Sequence, residues 1–366
     1  MIGKSTTFWI GCVLLVVCPV SGAELQPGAA INVTPYTGEW DSGNHFYPFV
    51  MRDPDAGNYR MYFSASGRCE MSESAWTQWL TGALVSTDGR SWQPADQSRL
   101  PVLFGRKLYQ GDILNPDDMS RVFDSYFAMG VCAIKDGPLF KMWYTGWGGD
   151  TEYAGGLENK INFRIGYATS KDGVEWTTRG GGAGAGAVLG VGSKDAPDSK
   201  GAAQPFVIKE DSVYRMWYEG FDGKTWRILY AESKNGTNWT RRGVALAPGG
   251  KGDLDHLGAL NPVVVKRGGG YELWYQGKSS SAPKCHVLRA TSSDGRAWKK
   301  EPGEVTLHPE DPLDGDEEMY VDSVLPLPDD SCQVFFAKEN SSTRPVQDEG
   351  TVDMKRSCIY TEVVKP

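Results

Sequence analysis

One seven-residue pattern, Ser-x-Asp/Asn-Gly-x-x-Trp, occurs four times along the chain and constrains its fold more than any other feature. It reads Ser86-Thr87-Asp88-Gly89 with Trp92, Ser170-Lys171-Asp172-Gly173 with Trp176, Ser233-Lys234-Asn235-Gly236 with Trp239, and Ser292-Ser293-Asp294-Gly295 with Trp298. The serines are 84, 63 and 59 residues apart, and self-similarity of this kind marks a repeat architecture. Asp-Gly and Asn-Gly between strand-like runs favour type I′ hairpin turns, with positive φ at both central residues. Each copy therefore predicts a hairpin.

Three further elements precede each hairpin. The nearest is a short aromatic run: Met61-Tyr62-Phe63, Met142-Trp143-Tyr144, Met216-Trp217-Tyr218, Leu273-Trp274-Tyr275 and, more faintly, Val334-Phe335-Phe336. Such runs read as buried strands. Before it stands a valine-rich strand behind a proline, as in Pro48-Phe49-Val50, Pro205-Phe206-Val207 and Pro262-Val263-Val264, with Val131-Cys132-Ala133 in the second copy. Proline at a strand's first position costs no ladder bond. Seven residues ahead of those positions lie Asp41, Asp124, Asp198 and Asp255, and Asp322 opens the fifth unit at a shorter spacing. The sum is four strands per unit, which predicts an all-β chain folded as a five-bladed β-propeller of four-stranded antiparallel blades. The last unit lacks its hairpin, and the run from Ala30 to Tyr36 is expected to supply its outer strand and close the ring.

Lys4, the apolar run Phe8 to Val20 and Ser21-Gly22-Ala23 read as a secretory signal peptide over residues 1–23. Residues 24–366 then form a single propeller domain, secreted or periplasmic after cleavage near Ala23. No other stretch is apolar enough to span a membrane. The net charge of −8 and the lack of a basic stripe argue against nucleic acid. The 13 Trp, 16 Tyr and 13 Phe suit strand packing and stacking on sugar rings. Beyond the leader stand Cys69, Cys132, Cys285, Cys332 and Cys358, an odd number without a CxxC pair. That leaves room for one disulfide and gives no zinc-type cluster. No cofactor or metal site is expected.

The segments Asp198-Ser199-Lys200-Gly201 leading to Pro205, Tyr214-Arg215-Met216-Trp217-Tyr218 and Ile228-Leu229-Tyr230-Ala231-Glu232-Ser233 resemble blades of proteins related to the five-bladed glycoside hydrolases. These include arabinanases, β-xylosidases, invertases, levansucrases and mannoside phosphorylases, and the resemblance covers about residues 38–340. It implies a carbohydrate ligand at the axial mouth, where the innermost strands begin, and an inverting reaction. The catalytic triad does not transfer. Arabinanase and xylosidase relatives carry an aspartate directly before the inner-strand proline, where this chain has Tyr47, Gly130, Gln204 and Asn261. Their acid lies two residues before it, where Phe46, Met129, Ala203 and Leu260 stand. Arg52-Asp53-Pro54 is similar to an invertase motif but follows the strand, and Asp53-Pro54-Asp55-Ala56-Gly57 reads as a plain turn.

Glycoside hydrolysis needs two carboxylates, one raised in pKa to donate a proton and one ionised. Two readings of the repeated aspartates are open. Asp41, Asp124, Asp198, Asp255 and Asp322 ring the mouth as catalytic or positioning groups, or each caps its own blade. Glu219 breaks the repeat, because the other units have Ser64, Thr145, Gln276 and Ala337 there. It is the preferred general acid, with Asp198 or Asp124 as base or nucleophile. The alternative is a solvated strand-end carboxylate. His45 and His256 stand near inner-strand starts, as sugar ligands, as metal ligands or, the favoured reading, as local ties to the backbone. Lys338 can serve an anionic sugar or a phosphate. Trp40, Trp147 and Trp226 lie outside the hairpin register and are candidates for sugar stacking, whereas the four hairpin tryptophans are expected to pack between blades. The expected function is a secreted glycosidase. The rivals are a non-catalytic carbohydrate-binding propeller and a phosphorylase or transferase.

Overall fold

The computed structural model describes residues 29–31, 45–67, 78–96, 102–103, 123–124, 127–147, 163–184, 186–280, 285–309, 317–340 and 358–365. The leader, Trp40, Asp41, Cys69 and the polar insertion 148–160 lie outside the described residues. Among those described, the chain is all strand and turn. A short β1 (Ala29–Ala30) precedes β2 (His45–Arg52), β3 (Tyr59–Gly67), β4 (Gln78–Ser86) and β5 (Gln93–Pro94). The second unit holds β6 (Phe127–Asp136), β7 (Leu139–Trp147), β8 (Arg164–Ser170) and β9 (Trp176–Thr178). The third holds β10 (Gly201–Glu210), β11 (Val213–Phe221), β12 (Trp226–Ser233) and β13 (Thr240–Leu246). Then come β14 (Gly258–Arg267), β15 (Gly270–Lys278), β16 (Cys285–Ser292) and β17 (Lys299–Lys300), and finally β18 (Glu317–Pro326), β19 (Cys332–Asn340) and β20 (Cys358–Val364).

Within every unit consecutive strands pair antiparallel, which gives the four-stranded sheets expected from the repeat. The third and fourth units share one sheet, joined by a single parallel pairing of Trp226 with Gly258. In the last sheet β1 pairs with β20, so the N-terminal segment adds the outermost strand. Residues 32–36 of the expected closing strand lie outside the described residues. The first strands follow one another in space, β2 against β6, β6 against β10, β10 against β14, β14 against β18, and β18 back against β2.

The aromatic strands supply the core. Tyr62, Trp143, Trp217 and Phe335 are fully buried, and each meets the hairpin tryptophan of a neighbouring unit edge-on. Trp176 packs on Tyr62 at 5.7 Å, Trp239 on Trp143 at 6.1 Å, Trp298 on Trp217 at 6.3 Å, and Trp92 on Phe335 at 6.3 Å. Polar staples run beside these contacts. Tyr62 Oη donates to Gly173 O at 2.9 Å, Trp143 Nε1 to Gly236 O at 2.7 Å, and Trp217 Nε1 to Gly295 O at 2.7 Å.

Two local expectations are corrected. The hairpin turns are not type I′, because only the glycine takes positive φ (Gly236, 80°) while Asn235 and its counterparts do not. The Ser and Asp side chains shape a longer turn instead: Ser86 Oγ accepts from Gly89 N at 2.8 Å, and Asp88 Oδ1 accepts from Arg90 N and Ser91 N, each at 2.8 Å. Glycine is required there, since a Cβ on Gly236 would lie 2.8 Å from the Trp143 ring. The prolines do not open their strands either. Pro48, Pro205 and Pro262 sit mid-strand at register shifts, each behind a residue of positive φ: Tyr47 (50°), Gln204 (46°) and Asn261 (49°). A bulge leaves a residue out of the ladder, so the missing N–H is harmless there. Asp322 is corrected as well, because it lies inside β18, at the register shift between Val321 and Ser323, and not ahead of the strand.

Replacing Trp217 by Phe keeps an aromatic six-membered ring but removes the pyrrole part of the indole with its Nε1–H, and leaves the buried Gly295 carbonyl without its donor. The expected loss is about 1–3 kcal/mol, measured as a lower urea midpoint at unchanged slope. An unchanged midpoint would show that the staple carries no stability.

Candidate functional site

Asp124, Asp198 and Asp255 each find partners within their own unit. Asp124, Asp198 and Asp255 are buried, and each is held within its own unit by the tyrosine that ends the aromatic run. Tyr144 Oη donates to Asp124 Oδ2 at 2.6 Å, Tyr218 to Asp198 at 2.9 Å, and Tyr275 to Asp255 at 3.0 Å. Arg241 of β13 meets Asp198 at 2.7 Å and Lys300 of β17 meets Asp255 at 2.5 Å. Both cations belong to the outermost strands of their units.

A second set of polar groups sits at the seams between first strands. In four units the residue after the aromatic run bonds the first strand of the next unit. Ser64 Oγ accepts from Gly130 N at 3.1 Å, Thr145 Oγ1 from Gln204 N at 2.8 Å, and Glu219 Oε1 from Asn261 N at 2.6 Å. Gln276 Nε2 donates to Met319 O at 2.6 Å. Glu219 is the carboxylic acid of this series. Burial pushes its pKa up to about 7, against the opposing pull of the Asn261 N–H. It is therefore a buried acid that exchanges its proton near neutrality.

Asn261 extends the site. Its Nδ2 donates to Asp322 Oδ1 at 2.8 Å and to Val321 O at 2.7 Å. One asparagine thus links two buried carboxyl groups from different units, Glu219 by its backbone and Asp322 by its side chain. Sequence reasoning did not select Asn261. The available signal was its place directly before the inner-strand proline, where the resembling enzymes carry a catalytic aspartate.

The remaining candidates are scattered. Lys338 is buried on β19 opposite Met319. His45 is buried with its ring against Phe63 at 5.5 Å. His256 is tied locally, with Nδ1 at 2.7 Å from Asp253 O and Nε2 at 3.3 Å from Ser280 Oγ. Trp147 is buried, and Trp226 is half-buried and stacks one face on Phe221 of its own hairpin at 4.6 Å. Asp53 holds a turn, accepting from Asp55 N at 3.1 Å and pairing with Arg60 at 2.9 Å. Among the described residues Cys132, Cys285 and Cys332 are free thiols, and no group of three His, Cys, Asp or Glu is placed to hold a metal ion.

No protein-family model matches the chain. An uncharacterised protein of Mycobacterium tuberculosis is 25% identical over 263 residues, covering 65% of this chain and 80% of that protein. A 1,2-beta-oligomannan phosphorylase of a Thermoanaerobacter species is 32% identical over 121 residues, which is 32% of this chain and 37% of the enzyme. Among solved structures, one described as a glycoside hydrolase superposes with a TM-score of 0.63 at 17% identity, covering 93% of this chain and 90% of the other. The chain shares its fold with glycoside-hydrolase-type propellers.

Proposed function

We propose that residues 24–366 form one five-bladed propeller, exported after removal of the leader, that cleaves glycosidic bonds at the seam between its third, fourth and fifth blades. Glu219 is the general acid and Asp322 its companion carboxylate, ionised to act as base toward water, with inversion at the anomeric carbon. The observation that supports this is the Glu219–Asn261–Asp322 linkage. It joins a carboxyl whose pKa lies near 7 to a second carboxyl, and glycoside hydrolysis needs two such groups in unlike states. Asp198, the earlier candidate for base, already has Tyr218 and Arg241 on one oxygen and is assigned to blade capping.

Phosphorolysis is the second reading. It is favoured by the partial match to an oligomannan phosphorylase and by the buried cation Lys338 on β19. Release of reducing sugar from a panel of oligosaccharides, with and without phosphate, separates the two.

Glu219→Gln and Asp322→Asn should each lower turnover by about 10²–10⁴-fold with the fold intact. Asp198→Asn should lower the melting temperature and spare turnover. Equal turnover of wild type and Glu219→Gln would sink the assignment.

Glu219 also predicts how stability follows pH. Its folded pKa is raised, so its contribution is full below the ordinary glutamate range and is lost as pH rises through about 7. The loss amounts to about 3 kcal/mol. Wild type should therefore melt at a lower temperature at pH 8 than at pH 5, and Glu219→Gln should flatten that slope. An equal slope in both proteins would place the pH dependence elsewhere. Turnover should fall above pH 7 for the same reason, as the acid loses its proton.

A further inference from the structure

The fourth unit carries a second constellation, built from residues with no part in the carboxylate site. Ser279 Oγ lies 3.0 Å from His286 Nε2, and His286 Nδ1 lies 2.7 Å from Glu304 Oε2. An ionised carboxylate can only accept, so a neutral His286 ring carries its hydrogen on Nδ1 and turns Nε2 to the serine hydroxyl as acceptor. This order of hydroxyl, imidazole and carboxylate is the arrangement that activates a serine nucleophile. Ser279 and His286 are 4% and 5% exposed, whereas the Glu304 side chain is 44% exposed.

The repeat shows that the fold does not demand these groups. Gly277 pairs with His286 as Gly220 pairs with Arg227, so Ser279 and His286 occupy the places of Asp222 and Arg227. In the third unit those two residues form an ion pair at 2.7 Å, which ties the same hairpin without a nucleophile. Glu304 precedes Val305, which is bonded to Val287, as Ala245 precedes Leu246, which is paired with Ile228. The fourth unit thus has a buried Ser–His pair with a carboxylate behind it where the third has a half-buried ion pair and an alanine.

Its location is informative. Gln276 holds in the fourth unit the seam place that Glu219 holds in the third. Ser279 follows it by three residues, about 10 Å along the strand direction. Lys278 is paired with Gly258, the first residue of the inner strand β14, so Ser279 stands at the same end of the sheet as the carboxylate site.

We infer that Ser279, His286 and Glu304 form a serine hydrolase site that removes small acyl groups from ester-decorated sugars. The sugar as acyl carrier rests on the carbohydrate reading above, while the acyl chemistry stands on the triad alone. Burial of the nucleophile restricts the acyl group to the smallest, acetyl above all. Ser279 Oγ attacks the ester carbonyl carbon and its proton passes to His286 Nε2. The tetrahedral adduct breaks its bond to the sugar oxygen, which leaves as an alcohol with that proton. Water then attacks the acyl-serine and gives a proton to His286. The bond from acyl carbon to Oγ breaks and the proton returns to Ser279. The sum is ester and water giving acid and alcohol, with no redox change. Ser279 and His286 are the catalytic residues, and Glu304 is a positioning residue.

The test uses the mature protein with 4-nitrophenyl acetate and a small fluorophosphonate. Wild type should release nitrophenol and carry one acetyl or one phosphonyl group on the Ser279 peptide by mass spectrometry. Ser279→Ala and His286→Gln should lower the acylation rate by about 10³-fold or more. Glu304→Gln should keep the labelled peptide but slow acylation and alter its pH profile, which a merely structural tie would not do. Melting curves establish that the variants are folded. Absence of label on Ser279 in folded wild type overturns the proposal, as does undiminished esterase activity in Ser279→Ala. Neither probe contains a glycosidic bond, so failure here is independent of failure of the glycosidase reading.

Discussion

A four-stranded sheet of this size cannot enclose a core alone, so its apolar faces must be covered by neighbours. The interaction that aligns those neighbours is the bond from the middle residue of one unit's aromatic run to the turn glycine of the next. Trp143 to Gly236 and Trp217 to Gly295 repeat it at the same 2.7 Å. The bond is worth little by itself, about 0.5–1.5 kcal/mol. Its consequence is registration: it fixes how far one sheet slides over the next. It also requires a residue without Cβ at the turn, because the indole lies against that atom's place. Where the fifth unit lacks a hairpin the pattern lapses. Trp274 Nε1 is buried without a hydrogen-bond partner among the described residues, and Arg289 lies over its ring at 5.5 Å. Across the closure Gln333 Nε2 reaches Gly89 O at the longer distance of 3.4 Å.

Registration on the outside sets geometry on the inside. Once neighbouring sheets are aligned, each first strand meets the next at its bulge, and the backbone N–H freed there needs an acceptor. Ser64, Thr145 and Glu219 supply it in successive units. The bulge and the left-handed residue ahead of each proline thus serve to turn a donor toward the neighbouring unit. Asn261 does this twice, through its backbone to Glu219 and through its side chain to Asp322, and so couples three units at one point.

Much of this was legible in the sequence, and what was missed has a physical reason. The hairpin glycines and tryptophans could be read because their role is set by steric rules that depend on a few adjacent residues. The turn type was misread because Ser86 and Asp88 cap the turn with their side chains and relieve the aspartate of positive φ. The prolines were misplaced because a bulge is a property of two strands, invisible in one. The partners of the repeated aspartates were not legible, because spacing reports distance along the chain and not direction. Tyr144, Tyr218 and Tyr275 decide that direction from 20 residues downstream. Glu219 stood out in the sequence because it breaks a column of otherwise neutral residues. Asn261 was passed over because an amide there was compared with a missing aspartate, when its value lies in joining two carboxyl groups that the sequence places 103 residues apart, at 219 and 322.

The same comparison explains why both proposed sites are departures from the repeat. Where a hydroxyl or amide satisfies the seam, as at Ser64, Thr145 and Gln276, the unit is complete, and a carboxyl there adds only a burial cost that a neutral group avoids. Glu219 carries that cost openly, in a pKa near 7 where a solvated glutamate would lie far lower. Stability alone would favour glutamine at this position at neutral pH, since the Asn261 N–H could be met equally well by an amide oxygen. The fourth unit presents the same asymmetry in another form, because the Asp222–Arg227 pair of the third unit shows that a hairpin here holds without a buried imidazole. A repeat supplies several nearly equivalent answers to one structural need. The positions where one unit takes the costlier answer are therefore the positions on which both proposals rest.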